Sequence, residues 1–268
     1  MIPINILAEW EEHAPWAHQS QIEQDLVLSR ALVSLFQNPV IHSSLAFRGG
    51  TALNKLYCNE TARYSEDIDL VHIKRAPIGD VMSVIRETID PWLGKPKWKQ
   101  TLRSVKFLYR FQSEDKPSAP LKLKIEINIV ESICFFGFQE KPYAVDNQWF
   151  SGEANIRTYQ LEELMATKFR ALYQRAKGRD LYDLWMAIEQ LGVNCGDLLE
   201  AFKFYSEEHS MKVSRAEYEK SLIQKMTLKD FLDDAKRVLP GGVPWNPEHA
   251  FNIVSDRLVR HLPGEPFE

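Results

Sequence analysis

This chain of 268 residues holds only three cysteines, Cys58, Cys134 and Cys195. They are odd in number and far apart, which excludes a disulfide framework and a zinc site built on close cysteine pairs. Long apolar runs are missing too, since no stretch approaches the ~18 residues that a membrane helix needs. The early segment Glu9-Trp10-Glu11-Glu12 lacks the basic-then-apolar layout of a signal peptide, so a cytoplasmic protein with no membrane partner is expected. Net charge is small: 33 Lys and Arg against 37 Asp and Glu give −4, which excludes a wholly basic nucleic-acid binder though not a local basic patch. None of the seven histidines has H-x-x-x-H or H-E-x-x-H spacing, and neither G-x-S-x-G nor G-x-x-x-x-G-K-[ST] occurs. Zinc hydrolase, serine hydrolase and P-loop ATPase readings therefore lose their support.

What is present is an average globular composition, 44% apolar and 26% charged, enough to bury a large core. Between His18 and Phe36, Ile22, Leu26, Leu28, Leu32, Val33, Leu35 and Phe36 fall on about half of a helix circumference, and Pro39 follows. Ser44 to Phe47 reads as a short buried strand broken by Gly49-Gly50, after which residues 51–57 turn helical with Thr51 as the cap. A strand is expected at 67–71, a helix at about 78–93, and a strand with Val105, Phe107, Tyr109 and Phe111 on one face. From Leu121 to Ile129 the alternation is unbroken, apolar on one side and Lys122, Lys124, Glu126 and Asn128 on the other. After about Tyr159 the period becomes 3.6, with helices expected near 161–176, 179–191, 197–208, 214–226, 229–238 and 248–261. The expected class is α+β, a mixed-sheet domain over 1–155 followed by a helical domain over 156–268.

Asp67 and Asp69 are two apart on a strand, so both carboxylates project from one face. Like charges that close repel unless something positive lies between them, and a divalent cation is the usual answer. Glu126, on the polar face of the strongest strand, supplies a third hard oxygen ligand if the two strands are neighbours, which suits Mg²⁺ or Mn²⁺. The alternative is a solvated edge with three unrelated acids. Gly49-Gly50-Thr51 is either a tight turn or a helix opening whose backbone N–H groups receive an anion. A phosphate-binding turn, an acid pair on the next strand and a third acid on a later one together form the layout for metal-assisted nucleotide transfer.

Lys168 is flanked on its helix by Leu164, Met165 and Leu172, so it lies in the middle of an apolar stripe. Either its stem snorkels outward or this face closes over a cleft where the ammonium meets an anion, the preferred reading. Past Gly178, Asp180 and Asp183 fall in the expected first turn of a new helix, where they stabilise the dipole. Asp180 has a second reading, orienting Lys168 or Arg179. From Pro91 to Ile125, nine Lys or Arg face two Asp or Glu, a local +7 that leaves −11 elsewhere. Lys95, Lys97 and Lys99 in that stretch, with Arg175, Lys177 and Arg179 in a second basic cluster, are candidates for holding RNA phosphates. A solvated strand face is the alternative.

The run Phe47-Arg48-Gly49-Gly50-Thr51-Ala52-Leu53-Asn54-Lys55-Leu56-Tyr57, then Arg63-Tyr64-Ser65-Glu66-Asp67-Ile68-Asp69-Leu70, then Lys168 ahead of residues 177–185, resembles the AbiEii/AbiGii nucleotidyltransferase toxins and their MenT-type relatives. These belong to the DNA polymerase β-like nucleotidyltransferase superfamily. The resemblance implies that Gly49, Gly50 and Thr51, with Ser65, hold the triphosphate, and that Asp67 and Asp69 bind catalytic metals. Lys168 and Asp180 correspond to the family's later lysine and aspartate motifs. The 17 positions from Gly50 to Asp67 exceed the usual superfamily spacing and favour the toxin branch. The resemblance also implies an NTP substrate, a cognate antitoxin, a place in toxin–antitoxin or abortive phage infection systems, and an RNA acceptor, since several relatives extend the 3′ end of tRNA. Two rival readings stand beside it: a nucleotide- or partner-binding module without turnover, and NMP transfer to protein hydroxyls.

Overall fold

Residues 2–58, 63–74, 76–114 and 117–268 are described by a computed structural model. Asp115 and Lys116, both counted in the local +7, lie outside the described residues. The chain divides into two compact units, Met1–Tyr159 and Gln160–Glu268.

The first unit runs α1 (Ile4–Trp10), α2 (Gln19–Phe36), α3 (Pro39–Ser44), β1 (Leu45–Arg48), α4 (Gly49–Tyr57), β2 (Asp67–His72), α5 (Gly79–Leu93), β3 (Lys97–Gln100), β4 (Ser104–Gln112), β5 (Pro120–Asn128), β6 (Phe138–Asp146) and β7 (Ser151–Tyr159). Its sheet is seven-stranded and mixed, in the order β3-β4-β5-β2-β1-β7-β6, with β2–β5 and β1–β7 parallel and the other neighbours antiparallel. Period-two alternation explains the central strands: Val105, Phe107 and Tyr109 on β4 and Leu123, Ile125 and Ile127 on β5 are fully buried, while the residues between them face outward. Each such large side chain contributes about 1.5–3 kcal/mol relative to an exposed position. On α5, Val81, Ile85, Ile89 and Leu93 recur at helical spacing and are buried, and the Tyr109 hydroxyl donates to Asp90 at 3.0 Å.

Helix α2 forms where the spacing places it, but it has no solvent face: no residue from Ser20 to Phe36 is exposed, and Glu23, Gln24 and Asp25 are buried along with the apolar stripe. Each has a partner, as burial of polar groups requires. Asp25 accepts from the indole N–H groups of Trp10 and Trp16 and pairs with Lys55 of α4 at 2.6 Å, while Gln24 donates to the Lys122 carbonyl at 2.8 Å. Burial alone would lower the Lys55 ammonium, but Asp25 carries it above its ordinary value, so Lys55 stays charged and its contact with Asp25 fixes α4 against α2.

One local expectation is corrected. Thr51 is not the cap of α4: the helix opens at Gly49 with Arg48 at the cap position, and Thr51 lies buried inside the first turn. The chain can begin the helix earlier because Gly49 takes φ +85°, a conformation open to a residue without Cβ. Pro91 is accommodated inside α5, Gly94 at φ +82° ends it, and β3 follows as an edge strand, whose Lys-rich, fully exposed sequence carries no apolar alternation to reveal it.

The second unit is helical throughout its regular structure: α6 (Leu161–Gln174), α7 (Gly178–Glu189), α8 (Cys195–Glu208), α9 (Arg215–Met226), α10 (Lys229–Asp234) and α11 (Pro247–Arg257), with 3₁₀ turns at Lys236–Val238 and Val259–His261. Side-chain caps mark its starts, Asn194 on Gly196 and Asp197, Ser214 in a capping box with Glu217, and Asn246 on His249. Phe169 packs on Phe202 and stacks on Tyr218, and all three are buried.

Candidate active site

Strand β1 delivers the chain into α4 with no side-chain cap on the helix's first N–H groups. A Cβ added at Gly49 would lie 2.7 Å from Asp69 Oδ2, so the helix opening presses directly against the second aspartate of β2. Gly50 is equally close-packed, over the buried Arg63 guanidinium. Thr51 Oγ1 donates to the Asp67 carbonyl at 2.6 Å and lies 2.6 Å from Ser65 Oγ. Its single proton being committed to the carbonyl, Ser65 is the donor of that second bond. These hydroxyls tie the first turn of α4 to the start of β2, and Asn54 adds a bond of 2.9 Å to the Arg63 carbonyl.

Cross-strand register supplies the rest. Asp69 stands opposite Arg48 of β1 on one side and Glu126 of β5 on the other, while Asp67 stands opposite Lys124. Asp67, Asp69 and Glu126 therefore share one sheet face, because β2 and β5 are neighbours and Ile68 and Ile125 between them point into the core. Lys124 Nζ is 2.8 Å from Asp67 and 3.5 Å from Glu126, and Lys106 Nζ is 2.9 Å from Glu126. Arg48 pairs with Glu131 at 3.1 Å and adds its charge near Asp69. Even so, burial and the neighbouring Asp67 push the Asp69 carboxyl above the usual carboxylate range, against the pull of Lys124 and Arg48.

Among the described residues no three His, Cys, Asp or Glu side chains already converge on a single point. The donor chemistry nevertheless suits a hard divalent cation: three carboxylates on one face, two of them on adjacent outward positions of one strand. Asp67, Asp69 and Glu126 are the residues that would hold it.

Lys168 and Asp180 belong to the second unit. Lys168 is buried and meets two carboxylates, Asp180 at 3.3 Å and Asp183 at 2.9 Å. The anion expected opposite this lysine is thus supplied within its own unit. Arg175, not Arg179, is the guanidinium on Asp180, bidentate at 2.7 and 2.9 Å, because Arg179 turns toward Asp234 together with Lys177. Asp183 does more than stabilise the dipole: α7 begins at Gly178, which puts Asp183 beyond the first turn and onto Lys168. Burial would raise Asp180, but Lys168 and the Arg175 bonds outweigh it and hold the carboxyl below its ordinary value.

Gly49, Gly50, Thr51, Ser65, Asp67, Asp69 and Glu126 are thus brought together in the first unit, and Lys168 and Asp180 with each other in the second. Sequence reasoning missed Arg48, Lys124 and Lys106 as neighbours of the acids. The signal for Lys124 lay in the polar side of its own strand, two positions before Glu126. A cleft of about 590 Å³ lined by His72, Ile78, Gln100 and Val130 contains none of the predicted site residues.

Residues 30–253 match the family described as nucleotidyl transferase AbiEii toxin, of a type IV toxin–antitoxin system. Among solved structures, MenT4, a nucleotidyltransferase toxin of Mycobacterium tuberculosis H37Rv, superposes with a TM-score of 0.66 at 14% identity, covering 98% of this chain and 91% of that one. JHP933 from Helicobacter pylori superposes with a TM-score of 0.57 at 18% identity, covering 90% of this chain and 91% of that one. Both likenesses are of fold. No curated protein matches in sequence.

Proposed function

The chain belongs to the AbiEii nucleotidyltransferase toxin family, and from that premise we propose that it transfers an NMP from an NTP to an RNA acceptor, the 3′ end of tRNA, at the face formed by Asp67, Asp69 and Glu126. As a nucleotidyltransferase of a toxin–antitoxin family it takes a nucleotide substrate and has an antitoxin counterpart. The observation that carries the finer reading is the close approach of Gly49 to Asp69. Phosphates received by the free N–H groups of α4 lie beside the acid row, where nucleotidyl transfer needs them.

In this reading the acceptor 3′-oxygen forms a bond to the α-phosphorus, the bond to pyrophosphate breaks, and the hydroxyl proton is released. Asp67, Asp69 and Glu126 would hold Mg²⁺, which when bound would supply positive charge for the leaving pyrophosphate and lower the pKa of the acceptor hydroxyl. The chain's own residues do the positioning. Thr51 and Ser65 lock α4 to β2, so triphosphate and carboxylates keep a fixed separation. Lys55, ionic and buried against Asp25, holds the other end of α4. Arg48 and Lys124 place positive charge around the row on which phosphate oxygens would arrive.

The test is incubation of purified protein with total tRNA, Mg²⁺ and each α-labelled NTP in turn. Label in RNA supports the proposal. Label in a protein band with RNA unlabelled would move the acceptor to protein hydroxyls, and label in neither would leave a binding module.

A further inference from the structure

Two rows of cross-strand partners lead away from the acid pair. Asp69 faces Glu126, Glu126 faces Lys106 of β4, and Lys106 faces Lys99 of β3. Asp67 faces Lys124, Lys124 faces Leu108, and Leu108 faces Lys97. A third pair sets Arg110 of β4 against Lys122 of β5. Directly opposed residues place their side chains on the same face, and the residues that alternate with these, Phe107, Tyr109, Leu123 and Ile125, are fully buried on the other. Six cations therefore share a face with Asp67 and Asp69, over three inter-strand steps or about 14 Å.

Like charges directly opposed destabilise a sheet, yet Lys99 opposes Lys106 and Arg110 opposes Lys122. Glu126 offsets Lys106 at 2.9 Å and Glu66 offsets Lys122 at 3.3 Å. Lys97, Lys99 and Arg110 are exposed and make no ion pair among the described residues. Lysines on an edge strand also discourage intermolecular strand pairing. That explanation covers Lys97 and Lys99 on β3, but not Lys106, Arg110, Lys122 and Lys124 on the interior strands β4 and β5. The other basic cluster is already engaged, with Arg175 on Asp180 and with Lys177 and Arg179 on Asp234.

We propose that the polar face of β3, β4 and β5 is the docking surface for the acceptor RNA, its phosphates on Lys97, Lys99, Lys106 and Arg110 and its 3′ end directed at Asp67 and Asp69. This rests on the RNA-acceptor reading above. The face fits an RNA end better than an acidic protein. Its cations lead to a row of carboxylates that would repel further carboxylates but can accept the hydrogen of a neutral 3′-hydroxyl.

The test is the salt dependence of binding to fluorescently labelled total tRNA, for wild type and for the double variant Lys99→Ala with Arg110→Ala. The slope of log affinity against log salt should fall by about 0.7–0.9 for each phosphate that the variant no longer neutralises, and Lys99→Arg with Arg110→Lys should restore it. A charge-matched control on exposed positions of the second unit, Lys203→Ala with Lys229→Ala, should leave the slope in place. An unchanged slope in the Lys99/Arg110 variant, or an equal fall in the control, overturns the proposal. So does an unchanged slope accompanied by lost binding of poly-glutamate, which would assign the face to an acidic protein. Asp67→Ala separates this inference from the transferase reading, because it should abolish transfer while keeping a slope at least as steep as wild type. If it keeps both slope and transfer, the catalytic reading fails and the docking surface stands.

Discussion

Gly49→Ala is the substitution whose consequences the geometry determines most fully. At φ +85° a side-chain-bearing residue is held in the left-handed region, which costs about 1–3 kcal/mol. The new methyl would also stand 2.7 Å from Asp69 Oδ2 and 3.3 Å from Asp69 Cβ, so rotating the carboxylate alone does not relieve the clash. Either α4 or β2 must shift. A displacement of about 1 Å at a reacting centre lowers turnover by about a hundredfold. The expected result is a fall in unfolding free energy of about 1–3 kcal/mol in urea, together with a loss of NTP incorporation far larger than the loss of folded protein at the assay temperature. Gly79→Ala is the internal comparison, because nothing lies within 4 Å of its added Cβ, and it should be close to neutral in both assays. A Gly49→Ala protein as stable and active as the Gly79→Ala protein would refute the reasoning.

Lys168→Met should destabilise the second unit by about 3–5 kcal/mol in urea, since it leaves Asp180 and Asp183 buried without their ammonium. A double variant that also carries Asp183→Asn should regain part of that loss, and strict additivity would argue against coupling. Asp180 sits below its ordinary value in the folded protein, so its stabilising contribution is complete above the unfolded carboxylate value of about 3.9 and disappears as pH falls through the lower folded value. Acid unfolding followed by far-UV circular dichroism should therefore begin at higher pH in Lys168→Met than in wild type. Thr51→Val removes the donor to the Asp67 carbonyl, and a cost of about 1–3 kcal/mol with a raised KM for NTP is expected. Unchanged KM would mean that the tie between α4 and β2 does not set the phosphate position.

Period was the legible part of this chain. The unbroken alternation from Leu121 to Ile129 and the 3.6 spacing after Tyr159 identify β5 and the helices of the second unit to within a few residues. Patterns that carry no apolar signal were not legible. β3 is exposed on every position, and β6 and β7, at the other end of the sheet, bury few side chains until Ile156. The Asp67–Asp69 pair could be read from its spacing. That Glu126 stands opposite Asp69 depends on β2 and β5 being parallel neighbours, a fact of topology that no local spacing encodes. Lys168 was legible in part: its place in an apolar stripe signalled an anion and Asp180 was already a candidate partner, while the contact with Asp183 required the packing of α6 and α7.

The most direct measurement of the central claim is NTP incorporation into tRNA by Asp67→Ala, with its urea midpoint measured on the same preparation. Asp67 is half-exposed and its ion pair with Lys124 lies at the surface, so the variant should remain folded. If the acid row carries the chemistry, incorporation falls by far more than tenfold at an unchanged midpoint. Incorporation within about tenfold of wild type, equivalent to about 1.4 kcal/mol of barrier, would contradict a catalytic role for the row.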